Sequence, residues 1–94
     1  MKRVQYSRHL SIRLNLRRMP SNLPRTIYLR SRRKYFDTAT NTFVALLRTK
    51  LYGKTRDVMI VYREQNDVAL IITVHPLKHN QLNNRLQSGR WKKF

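Results

Sequence analysis

Cysteine is missing from the 94-residue sequence, glycine occurs twice, and acidic residues number only four. The first absence excludes a disulfide framework and a cysteine nucleophile, and it fits a reducing cytoplasm. Two glycines are too few for a glycine-rich phosphate loop. Gly53-Lys54-Thr55 has the end of such a motif, but Arg48 stands where its first glycine belongs. The four acids, Asp37, Asp57, Glu64 and Asp67, are scattered through predicted turns and strand ends. They form no obvious pair for glycosidase or two-metal hydrolysis. His75 and His79 are separated by Pro76 and lack a thiolate or carboxylate to complete a ligand set, so neither a metal nor a cofactor is expected. The longest apolar runs, Phe43 to Leu47 and Val68 to Val74, fall far below the ~20 residues of a membrane helix, and no apolar segment follows the first charges. A soluble, cytoplasmic protein that makes no membrane contact is the expectation.

Positive charge is what the sequence has in excess: 21 lysines and arginines give a formal net charge of +17. Residues 1–34 carry 11 cations and no acid, all four acids fall within 35–67, and residues 68–94 carry five cations and no acid. Such a field concentrates phosphates at the surface, and its self-repulsion opposes compaction until a polyanion or an acidic protein neutralises it. Hydrophobic residues at 40% still suffice for one modest core, so residues 1–94 read as a single domain.

Val4, Tyr6, Leu10, Ile12, Leu14 and Leu16 all occupy even positions, the period of a half-buried strand. Against that, Ser7 is a plausible N-cap, few residues are β-branched and Pro20 supplies a stop, so a helix is predicted over 8–18. A second short helix follows with Pro24 in its first turn, ending near Arg32, Arg33 and Lys34. From Tyr35 the pattern is β: Tyr35 to Asp37, Phe43 to Leu51, Val58 to Arg63 and Val68 to Val74, with turns at Thr40-Asn41, Gly53 and Gln65 to Asp67. Val58 to Tyr62 and Val68 to Val74 are apolar on both faces, as expected of central strands covered on both sides. Asn80 to Gln87 is predicted as a short polar helix. The fold class expected is α+β: two N-terminal helices packed on a twisted antiparallel sheet of about four strands, with a short C-terminal helix.

Histidines and arginines are the chemistry-bearing residues left. RNA cleavage without a metal needs a base for the 2′-hydroxyl, cations for the phosphorane oxygens and an acid for the 5′-oxygen. His75 ends a predicted central strand and is followed by Lys78, so it either projects into a cleft or bonds a loop carbonyl. His9 opens the first predicted helix, where it either joins acid/base work or packs over the sheet. Spacing puts His9, Arg13 and Arg17 on one face of that helix. The catalytic candidates are His75, His9 and Arg13; the RNA-binding candidates are Arg17, Arg18, Lys54, Arg56, Lys78, Arg85 and Arg90. Lys54 and Arg56 lie at a predicted hairpin tip, and Arg85 and Arg90 belong to a basic helix and tail. Trp91 either closes a core edge or stacks on an unpaired base.

Three stretches carry a resemblance: Tyr6-Ser7-Arg8-His9 with Arg13 and Arg18-Met19-Pro20; Tyr35-Phe36-Asp37; and Ile72-Thr73-Val74-His75-Pro76 with Asn84-Arg85 and Ser88-Gly89-Arg90-Trp91. Together they resemble the BrnT and RelE-type ribonuclease toxins of type II toxin–antitoxin systems, over nearly the full chain. The resemblance implies two helices on a twisted antiparallel sheet, cleavage of RNA without a metal, and an acidic antitoxin covering the active cleft; the substrate expected is single-stranded or ribosome-held RNA. A non-catalytic RNA- or DNA-binding module is the alternative.

Overall fold

In the computed structural model, which describes residues 2–94, the chain opens with a strand: β1 (Arg3–Tyr6) precedes α1 (Arg8–Leu16) and α2 (Leu23–Arg30). Then come β2 (Arg33–Asp37), β3 (Thr42–Leu51), β4 (Lys54–Gln65), β5 (Val68–Pro76), α3 (Gln81–Gln87) and β6 (Trp91–Lys93). The expectation of two N-terminal helices on an antiparallel sheet of about four strands is therefore corrected. Six strands form one sheet in the order β1-β5-β4-β3-β2-β6, and it is mixed because β1 runs parallel to β5. Three short helices, of nine, eight and seven residues, accompany it. Both extra strands escape pattern reading for physical reasons. The alternation of β1 merges with the even-position series running into α1, and β6 is only Trp-Lys-Lys, too short to show a period.

Local chemistry sets the helix ends. Ser7 caps α1, its Oγ accepting the Leu10 N–H at 3.0 Å. The helix stops at Leu16, short of the expected 18, because Arg18 takes a left-handed φ of 53° and the Met19 N–H returns to the Leu14 carbonyl at 3.0 Å. Pro24 lies in the first turn of α2. That helix ends at Arg30, and Arg33 and Lys34 pair with Leu46 and Ala45 in the sheet instead.

Both faces of the sheet are apolar. On one, Leu10 and Leu14 of α1 and Leu23, Ile27 and Tyr28 of α2 pack over Ala45, Val58, Ile60, Tyr62, Ala69, Ile71 and Val74. Ile27 is fully buried, which is worth about 1.5–3 kcal/mol relative to exposure. On the other, Tyr35, Val44, Leu46, Met59 and Trp91 cluster, with Val61, Leu77 and Leu82 packed against them. The loop after β5 and the start of α3 thus cover part of the second face, as double-faced apolar strands require.

One irregularity decides where the functional side chains point. Along β4 and β5, Val61 faces Thr73 while Tyr62 faces Ile71, so Ile72 is an extra residue. This is a β-bulge, which shifts side-chain phase by one residue. Ala69 and Ile71 lie on the helical face, and a regular strand would send His75 there too. Because of the bulge, Val74 enters the helical core instead and His75 pairs with Met59 on the opposite face. Ser7 holds the bulge from the side: its N–H donates to the Ile71 carbonyl at 2.9 Å and its Oγ to the Ile72 carbonyl at 3.2 Å.

Candidate nucleic-acid interface

His75 is half-buried at the end of β5, on the face away from α1 and α2. Its Nδ1 lies 3.1 Å from the Pro76 carbonyl. A carbonyl can only accept, so Nδ1 is the donor of this bond, and in the neutral ring that leaves the lone pair on Nε2. The ring lines a cavity of about 340 Å³ together with Arg63, Arg85, Arg90, Asp37 and Trp91. Arg63 follows Met59 and Val61 along the same face of β4; alternation from the apolar core of that strand was the signal that could have found it.

Asp37 is the one acid in this cavity, and it is occupied. Arg90 Nε donates to its two oxygens at 3.0 and 3.2 Å, Trp91 Nε1 donates at 3.2 Å and the Ala39 N–H at 3.0 Å. Burial raises the affinity of this carboxylate for a proton, but the Arg90, Ala39 and Trp91 bonds outweigh it and hold the group below the usual carboxylate range. The terminal nitrogens of Arg90 make no hydrogen bond among the described residues, and Arg63 and Arg85 make no ion pair there. Three guanidinium groups therefore surround His75 with donors available to a ligand. Trp91 is 3% exposed and stacks on Tyr35 with ring centroids 5.9 Å apart, so it closes the core edge and offers no face to a base.

His9 stands elsewhere. It shares a smaller cavity, about 190 Å³, with Arg13 of α1, with Arg17 at the C-cap of that helix, and with Ile72, Thr73 and Val74. Beyond Ile71, β5 has no β1 neighbour, and α1 runs past its open edge; the spaced cations of the helix face that edge. A third cavity, lined by Arg17, Thr73, His75, Pro76, Leu77 and Lys78, shares Arg17 and Thr73 with the second and His75 with the first. The three join into one basic groove around the end of β5. The two histidines lie at different stations along it and do not line the same cavity.

Other predicted positions fall outside the linings of these cavities. Arg18 is exposed just beyond α1. Lys54 and Arg56 lie on the β3–β4 hairpin, whose Tyr52 hydroxyl donates to the Arg17 carbonyl at 2.7 Å and so ties the tip to the end of α1. Among the described residues, Arg56 Nε is buried without a hydrogen-bond partner. Arg33 binds Asp57 through two nitrogens, at 2.8 and 3.3 Å. That contact, with the charge of Arg48 beside it, holds the Asp57 carboxyl below its ordinary range despite burial.

Among the described residues, no cluster of three or more His, Cys, Asp or Glu is arranged to hold a metal ion, and no helix is long and apolar enough to cross a membrane. No protein-family model, curated protein or solved structure matches the chain.

Proposed function

We propose that this chain binds RNA along the groove around the end of β5 and cleaves it without a metal, as a toxin-like endoribonuclease that an acidic antitoxin neutralises. The observation that carries the reading is the surrounding of His75 by Arg63, Arg85 and Arg90, with its Nδ1 engaged by the Pro76 carbonyl and its Nε2 free. In this reading His75 Nε2 takes the proton of a 2′-hydroxyl, and the oxygen attacks the adjacent phosphorus. Arg85 and Arg90 neutralise the charge that builds on the phosphorane oxygens. Lys78, which shares a cavity with His75, protonates the leaving 5′-oxygen, and the products are a 2′,3′-cyclic phosphate and a 5′-hydroxyl. Arg13 and Arg17 hold the flanking phosphates.

The test is incubation of the protein with end-labelled RNA in excess EDTA, beside His75→Ala and His9→Ala. Discrete fragments ending in a cyclic phosphate, lost in His75→Ala and retained in His9→Ala, are expected. Cleavage unchanged by His75→Ala removes that residue from the mechanism.

A second reading, a non-catalytic RNA-binding module, is favoured by the separation of the two histidines between cavities, which leaves no histidine pair to share acid and base work. Retarded but uncut RNA, both free and on ribosomes, would select it.

A further inference from the structure

On the helical face of the sheet, α2 lies over β3, β4 and β5, and the β2–β6 end beyond it carries a different surface. Phe43 is its hub. The ring stacks on Tyr62 at 5.5 Å, meets Phe36 edge-on at 5.4 Å and touches Phe94 at 5.1 Å between centroids. Phe36 is half-buried and Phe94 is 63% exposed, so these rings form a joined aromatic surface open to solvent rather than a sealed core. Isolated exposed apolar residues are ordinary; a contiguous aromatic patch marks an interaction surface.

The charges around it are cationic. Lys92 is the cross-strand partner of Phe36, and its neighbour Lys93 alternates to the opposite face, which also carries the His75 cavity. Lys34 stands on the same strand as Phe36, its Nζ 5.4 Å from the Tyr28 ring centre. Asp37, next to Phe36 on β2, pairs with Trp91 on the opposite face and is held there by Arg90, and Glu64 of β4 accepts the Tyr28 hydroxyl. A second copy of the chain would bring another +17 to the patch, and that repulsion argues against self-association.

We propose that Phe36, Phe43 and Phe94, with Lys34 and Lys92, form a stacking platform for unpaired bases of single-stranded RNA. The choice of RNA rests on the function proposed above; the platform itself lies on the other face of the sheet from His75. Every base has a π-face, so aromatic rings beside backbone-tracking cations bind single strands with little sequence preference. Lys92 and Lys93 straddle the β6 edge, so one strand of RNA can pass from the platform around that edge toward the cavity.

The experiment measures the affinity of the full chain for a fluorescein-labelled oligoadenylate and for an abasic oligoribonucleotide of equal phosphate count. The platform requires the oligoadenylate to bind at least about fivefold more tightly. Phe94→Ala, at an exposed site, abolishes that preference, Phe94→Trp keeps it, and Arg85→Ala weakens both oligonucleotides alike. Equal affinity for the two, or a preference that survives Phe94→Ala and Phe36→Ala, overturns the platform while leaving phosphate binding in the groove intact. Binding of neither overturns both proposals. Concentration-dependent dimerisation by light scattering, lost in Phe94→Ala, assigns the patch to a second copy and also overturns the platform.

Discussion

The buried carboxylate of Asp37 grips Arg90 by its Nε, at 3.0 and 3.2 Å, and thereby turns a residue fifty-three positions away into part of the His75 cavity. The contact orients the guanidinium and, among the described residues, leaves its terminal nitrogens without a hydrogen bond. It also couples the fold to pH. Because the carboxyl of Asp37 is held below its ordinary value of about 3.9, its contribution is complete above that value and is lost as pH falls through the lower, folded-state value. Asp37→Asn is expected to lower Tm at neutral pH and to flatten the acid limb of the Tm curve. Asp57, depressed in the same direction, supplies the part that remains. Thermal melts of the two proteins between roughly pH 2 and 7 make the comparison.

Ser7→Ala should cost about 0.5–2 kcal/mol for the lost cap alone. The same oxygen donates to the Ile72 carbonyl at the bulge, so the substitution also loosens the segment that aims His75. Urea denaturation reads the stability, and the His75 ring resonances in a heteronuclear NMR spectrum should shift more than those of His79.

Arg13 and Arg17 are exposed on one side of α1 and share a cavity with the open edge of β5. If each holds one phosphate, Arg13→Ala/Arg17→Ala reduces the slope of log K against log salt by about 0.7 for each contact on a single strand. Fluorescence anisotropy over a salt series gives the slope. An unchanged slope with lower affinity would show that the two side chains act without releasing counterions.

Ile27→Ala removes a fully buried side chain at the centre of α2, and a loss of about 2–5 kcal/mol is expected. Leu16→Ala, on a residue 76% exposed, should stay within about 0.5 kcal/mol. Guanidinium titrations that place both variants together would mean that the helices do not pack on the sheet as described.

Residue chemistry alone determined the charge of this protein, where its first two helices start and most of its meander. Seventeen net positive charges follow from composition, Ser7 and Pro24 mark helix starts through local bonding, and the doubly apolar run Val58 to Tyr62 announces a strand covered on both faces. The line of His9, Arg13 and Arg17 is a consequence of helical periodicity and needed no partner element. Tertiary structure decided the rest. Val4 and Tyr6 form a strand because of the edge of β5, more than sixty residues away, to which β1 pairs in parallel. Trp91 to Lys93 become a strand only because β2 offers them hydrogen bonds. The direction of His75 rests on a single extra residue at Ile72, and no local propensity encodes that bulge. Long-range backbone pairing is set by the fit of whole elements, so periodicity could name the side chains of the groove while only the assembled sheet could bring Arg63, Arg85 and Arg90 around His75.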